Sequence, residues 1–252
     1  MEQEQDALSA LVSWINTSSN IVFLTGSELT FDSGIPSVTD LNFNPDIRQF
    51  KNIAGVREEY WNKVKDHYPR ISTATPTPAH EAIYEISMLS NVSCIITQNG
   101  DGLHQKAGNE NVIEIYATIH WATCPDCGKD QPMTEALSQL EKGKKIPTCT
   151  VCNSDLIKPP ISFPGQALPH WEVRESWMKM QNCDLLIIVG ANLENEPVAS
   201  FPFQIMNKGD KVAIIGEAET PADDYVMAVL NGKPSQVMPY ISEELKKLTP
   251  IS

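Results

Sequence analysis

Four of the six cysteines stand in two matched pairs, Cys124-Pro125-Asp126-Cys127 and Cys149-Thr150-Val151-Cys152, with 21 residues between Cys127 and Cys149. A Cys-x-x-Cys pair can sit on a tight knuckle that aims both thiolates at one point, and two knuckles complete a tetrahedral zinc site. Four unliganded thiols and a redox-active pair are the competing readings, although a redox motif is seldom doubled in this way. Thiolates from Cys124, Cys127, Cys149 and Cys152 would fill the coordination sphere and leave no position for water. One structural zinc is therefore expected, and the chemistry must lie elsewhere. Cys94 and Cys183 sit in or beside apolar runs and are expected to be inert core residues.

Two polar turns could supply that chemistry. Thr25-Gly26-Ser27-Glu28-Leu29-Thr30 follows an apolar run, and a small-residue turn after the first strand of a parallel sheet is where a dinucleotide pyrophosphate meets a helix N-terminus. A single glycine does not make a phosphate loop, so this signal is weak alone. Thr97-Gln98-Asn99-Gly100-Asp101-Gly102-Leu103-His104 follows a second apolar run. It sets Gln98, Asn99 and Asp101 just beyond a strand's carboxyl end, where ligands bind in open parallel sheets. A polar turn satisfying its own backbone groups would read the same way.

The elements that must position these turns are short, β-branched apolar runs at 21–24, 94–97, 112–115, 185–189 and 212–215, separated in part by helical spacing at 7–16 and 80–89. Strands apolar on both faces that alternate with helices predict a doubly wound parallel sheet, a Rossmann-type α/β domain. Two regions interrupt the rhythm: 41–77, with a helical stretch around 58–67, and 121–158, which carries the four cysteines. The expected division is a Rossmann-type domain of 1–40, 78–120 and 159–252, with a helical insertion (41–77) and a zinc-ribbon insertion (121–158) forming a small domain. A short helix is expected at 243–247 near the chain's end.

Composition narrows the partners. A formal net charge of −13 argues against tracking nucleic-acid phosphates, which needs a surplus of Lys and Arg. No run approaches 18 apolar residues, so no spanning helix is expected. The opening Met1-Glu2-Gln3-Glu4-Gln5-Asp6 is acidic and unlike a signal peptide, and a cytoplasmic location is expected.

The glycine turn, Ser33-Gly34-Ile35-Pro36, the 97–104 turn with Ala107-Gly108, Val112-Ile113-Glu114-Ile115, the two cysteine pairs and Gly190 come in an order that resembles the sirtuin family from about Ser19 to Leu248. The resemblance implies a Rossmann domain with a small zinc-ribbon domain, and NAD-dependent protein lysine deacylation or ADP-ribosyl transfer. It implies that Gln98, Asn99 and Asp101 face the nicotinamide ribose and nicotinamide pocket. It also implies that Gly26, Ser27, Glu28, Gly190 and Asn192 lie along the cofactor.

The chain departs from the family where that chemistry is done. The family's general-base histidine is replaced by Tyr116, eight residues before Cys124, and a phenol with pKa ~10 is a poor base at neutral pH. His120 lies four positions on and reads as a surface loop residue. The family's glycine-alanine-glycine turn is Gly26-Ser27-Glu28, which puts bulk and charge at the pyrophosphate. The aspartate-phenylalanine-arginine is Ser37-Val38-Thr39, the adenosine turn is Gly190-Ala191-Asn192 followed by Glu194 and Glu196, and the later asparagine is Gly216. Phe163-Pro164-Gly165-Gln166 replaces the end of the peptide-pairing strand, and a proline cannot donate to that ladder. The expected function is a sirtuin-like zinc protein impaired in deacylation, with weak NAD binding, acting as a binding or regulatory module for a protein or peptide partner. The alternative is an active deacylase or ADP-ribosyltransferase with another base.

Overall fold

The computed structural model describes residues 2–35, 45–116, 118–163 and 166–248. Along the chain it runs through α1 (Glu2–Thr17), β1 (Ile21–Thr25), a 3-10 turn (Ser27–Ser33), α2 (Ile47–Asn52), α3 (Ala54–Thr73), α4 (Pro78–Leu89), β2 (Val92–Thr97), α5 (Leu103–Lys106) and β3 (Val112–Glu114). There follow β4 (Trp121–Thr123), β5 (Asp130–Pro132), α6 (Met133–Glu141), α7 (His170–Asn182), β6 (Leu185–Val189), α8 (Phe201–Asn207), β7 (Lys211–Gly216), β8 (Ala228–Asn231) and α9 (Pro234–Leu248).

Six strands form one parallel sheet in the order β3-β2-β1-β6-β7-β8, as the apolar runs predict. Because side chains alternate across a strand, each run feeds two cores. Ile21, Phe23, Ile95, Ile187, Val189 and Ile215 meet α1, α4 and α9 on one face. Val22, Leu24, Ile96, Leu186, Ile188 and Ile214 meet α7 and α8 on the other. The spacing of Ala79, Ala82, Ile83 and Ile86 explains why α4 lies with one stripe on the sheet. Chain order reverses between β1 and β6, and the carboxyl ends of those two strands define the crevice where ligands enter such sheets.

A third apolar cluster lies apart from the sheet. It joins Phe50, Tyr60 and Trp61 of α2 and α3 to Ala122, Cys124, Met133, Cys149 and Ile157 around the antiparallel β4–β5 pair. Two polar side chains reinforce this contact. The buried Arg57 guanidinium donates to Phe50 O, to Lys51 O and to Asp155 Oδ2 at 2.8 Å, and Trp61 Nε1 donates to Ile157 O. The 37–39 substitutions and Pro164 lie outside the described residues.

Candidate functional site

The cysteines converge. The four sulfurs of Cys124, Cys127, Cys149 and Cys152 lie within 4.8 Å of one another. The contacts Cys124–Cys152 and Cys127–Cys149 measure 3.5 and 3.6 Å. A disulfide would bring sulfurs to about 2 Å. Four ligands on one zinc at ~2.3 Å sit ~3.8 Å apart, so the spacing fits a tetrahedral metal. Each knuckle closes in the same way. Gly128 and Asn153, one residue past each pair, adopt φ of 71° and 61°, and their N–H groups return to Cys124 O and Cys149 O. Glycine and asparagine are the residues that tolerate this left-handed region. Backbone N–H groups of Cys152 and Val151 hold the Cys149 thiol down to about 7, the direction that a thiolate ligand needs. Cys94 and Cys183 are buried in the second core, and burial pushes both thiols up to about 12.

The two polar turns meet over the β1–β6 crevice. Gly26 N donates to Val189 O and Glu28 N to Gly190 O, which laces the first turn to the end of β6. Glycine is required at position 26, since an added Cβ would stand 2.4 Å from Ala191 Cα and 2.6 Å from Gly190 O, both backbone. From the β2 side, Asn99 Nδ2 donates to Gly26 O at 2.9 Å, and Gln98 Nε2 reaches over to Asn192 O at 3.1 Å. Ser27 is exposed at the mouth. The structure thus brings Gly26, Ser27, Glu28, Gln98, Asn99, Gly190 and Asn192 to one edge of the sheet.

Asp101 is buried, and its Oδ1 accepts from Leu103 N at 2.9 Å. Burial raises its carboxyl above the usual range, opposed by that N–H, His120 and Lys106. His120 is tied into this turn rather than loose on a surface loop. Its Nε2 lies 2.8 Å from Asp101 O, and its ring covers Gly102, whose φ of 71° leaves no room for a side chain. Glu114, a half-buried carboxyl raised by desolvation, feels both Asp101 and His120.

Tyr116 lies two residues beyond β3, half-buried against the second core. Its hydroxyl is buried and meets no partner in hydrogen-bonding geometry among the described residues. Burial pushes the phenol above the ordinary tyrosine range and Glu196 adds to the rise, while the nearby Gln98 amide acts the other way.

Glu28 is half-buried, and among the described residues it forms no ion pair with a lysine. Its carboxylate accepts from Glu217 N at 2.8 Å and from Ala218 N at 3.0 Å, just beyond β7. The sequence marks Glu28 as an intrusion, but gives no sign of partners 189 and 190 residues away. A buried pair was also missed. His104 Nε2 lies 2.9 Å from the Thr25 hydroxyl, its ring packs 4.7 Å from that of His80, and His80 Nδ1 accepts from Thr77 N at the start of α4. The Thr-x-x-His spacing at 77–80 resembles a capping box with histidine in the acidic residue's place, and is the signal that could have located it.

A Rossmann-type sheet whose insertion carries a four-cysteine metal knuckle defines a narrow class of proteins. Within that class, the Sir2 family profile matches residues 32–197. The chain is 30% identical to NAD-dependent protein deacetylase 1 of Pyrobaculum aerophilum over 96% of each chain. A Sir2 protein solved with a p53 peptide and NAD+ is 29% identical, with a TM-score of 0.82 over 97% of this chain and 99% of that one. A histidine-to-tyrosine mutant of Sir2, solved with a p53 peptide and NAD, is 30% identical with a TM-score of 0.83 over the same shares. The chain belongs to the Sir2 family.

Proposed function

We propose that this chain is a sirtuin impaired in deacylation, acting as a binding or regulatory module for a protein or peptide partner and a nicotinamide-type ligand. The carrying observation is Tyr116. The resemblance gives this position to the base that takes a proton from a ribose hydroxyl. Here it holds a phenol that burial pushes above its ordinary range, so the phenolate is scarcer than in a free tyrosine. No neighbouring histidine replaces it, because His120 is committed to the Asp101 carbonyl.

Binding is a separate matter from turnover. The histidine-to-tyrosine mutant of Sir2 is described with both a peptide and NAD, so this exchange is compatible with either ligand in that protein. In this chain Gln98, Asn99 and Asp101 would face the nicotinamide and its ribose, with Asn99 held by Gly26 O and Asp101 by Leu103 N. Gly26, Ser27, Glu28, Gly190 and Asn192 would line the remainder of the cofactor. When bound, NAD supplies the electrophilic sugar carbon and the nicotinamide leaving group. Zinc on Cys124, Cys127, Cys149 and Cys152 would be structural. The helical insertion (41–77) and the ribbon (121–158) would work as one small domain, a reading supported by the Arg57 and Trp61 contacts. Six free cysteines support a cytoplasmic setting, and among the described residues no helix is long and apolar enough to cross a membrane.

The test is turnover of an acetyl-lysine peptide with NAD, followed by mass spectrometry. Negligible deacylation is expected. Turnover within about tenfold of an ordinary sirtuin, abolished in Tyr116→Phe, would make the phenol a working base and end this reading.

A further inference from the structure

The crevice is divided by one side chain. On its β1–β2 side stand the Asn99 and Asp101 groups, and on its β6–β7 side stand Gly190, Gly216 and the peptide units that follow β7. Glu28 crosses to the second side. Its carboxylate takes the two consecutive amides of Glu217 and Ala218, and its body fills the space left by two glycines. A Cβ on Gly190 would meet Glu28 Cβ at 2.6 Å, and one on Gly216 would meet its Oε2 at 3.0 Å. Consecutive amides just past a parallel strand are where an oxyanion or a sugar hydroxyl of a ligand would be held.

We propose that Glu28 is the specificity-determining residue of this crevice, a resident occupant of the amide pair that confines the ligand to the β1–β2 side. The ligand class is then a nicotinamide nucleoside without phosphates, and a ligand that carries an adenosine diphosphate across β6 is rejected. This deepens the reading above and rests on its placement of the nicotinamide pocket.

Three arguments support the choice. The amides are already satisfied by charge-assisted bonds, so an incoming phosphate must displace an anion that the chain holds at no translational cost. Among the described residues no lysine or arginine forms an ion pair with Glu28, so nothing neutralises it toward a second anion. The same rim carries Glu194, bonded to Asn192 Nδ2, and Glu196 lies close enough to act on Tyr116. That field opposes a pyrophosphate and favours the cationic ring of an N-ribosylated pyridinium.

Calorimetric titration of nicotinamide riboside, adenosine and ADP-ribose into wild type, Glu28→Gln and Glu28→Ala tests the assignment. Wild type should bind the riboside at least about tenfold more tightly than ADP-ribose, and Glu28→Ala should gain about tenfold or more for ADP-ribose, which removes that preference. A gain for adenosine as well assigns the amides to the sugar, and a gain for ADP-ribose alone assigns them to phosphate. A gain already present in Glu28→Gln identifies charge as the cause. Equal ADP-ribose affinity in wild type and Glu28→Ala would overturn the proposal. If the alanine variant fails to fold, amide hydrogen exchange in the wild type decides: Glu217 and Ala218 should be protected, and exchange as fast as in free peptide would overturn it. NAD-dependent deacylation by the wild type would refute both readings, whereas ADP-ribose binding equal in wild type and Glu28→Ala, with no deacylation, would refute this one alone.

Discussion

Acid should unlock the fold at the His80–His104 pair. Both imidazoles are buried, His80 with no exposed surface and its Nε2 without a partner among the described residues, so a second proton on either ring would be an uncompensated buried charge. Burial lowers His80 from 6.5 to about 4, and lowers His104 well below its usual value, helped by His80. Between those two values for His80 the unfolded chain binds the proton and the fold does not. Stability is therefore fully present above about 6.5 and falls as pH falls toward 4. For His80 alone, the shift corresponds to a loss of about 2 kcal/mol between pH 7 and pH 5, or about 4–8 °C in Tm for a domain of this size. Asp101 and Glu114, both raised by burial, act with the opposite sign, because the fold holds their protons more tightly than the unfolded chain does. The readout must accordingly be a difference between proteins. His80→Asn keeps an acceptor for Thr77 N and cannot titrate. Thermal unfolding of both proteins from pH 7 to pH 5 should show the wild type losing about 2 kcal/mol more than the variant. Parallel losses would refute the argument, whatever the variant's absolute stability.

Other outcomes follow from the two sites. Protein purified without chelator should carry one zinc per chain, and Cys124→Ala should lower the melting temperature, because ligand loss is coupled to folding; metal below half an equivalent by atomic emission would contradict this. Tyr116→His made together with Glu28→Ala, which frees the amide pair for NAD, should raise NAD-dependent release of acetyl groups by about a hundredfold or more over Glu28→Ala alone, the usual worth of a positioned base, as read by mass spectrometry. Gly26→Ala should cost about 2 kcal/mol or more in chemical denaturation, since its Cβ would strike backbone that cannot yield.

How far these features could be read from the sequence depended on their range. β1 and β6 were evident because all five residues of each are buried and all but Thr25 are apolar. β8 was not expected: four residues alternating between buried and partly exposed sides make too short a run to stand out from a loop. The three-residue β4 and β5 give no periodicity at all. The cysteine centre was readable because each knuckle is local, and only the meeting of the two had to be inferred. The crevice was half readable. Gln98, Asn99 and Asp101 announce themselves as a polar turn after a strand. The seat of Glu28 on Glu217 and Ala218 is set by how β1, β6 and β7 lie side by side in the sheet, and that of His120 on Asp101 by how the chain leading to β4 folds back over the β2 turn, and no local pattern encodes either. The helical tail was placed at 243–247, yet α9 begins at Pro234, because Pro234 opens the helix and Pro239 is tolerated within it.

The Arg57 clamp limits how this scaffold can be recombined. Its guanidinium is buried in α3 and spends its donors on Phe50 O, Lys51 O and Asp155, the last 98 residues away in sequence. A chimera that takes 121–158 from a relative without an acceptor at Asp155 would leave Arg57 with only its two carbonyl partners, a loss of about 1–2 kcal/mol for one charge-assisted bond to a partly exposed carboxylate. On the proposed division, the helical insertion and the metal ribbon would form one transferable cassette despite being two separate segments of chain. Grafts between relatives should succeed only when both segments travel together.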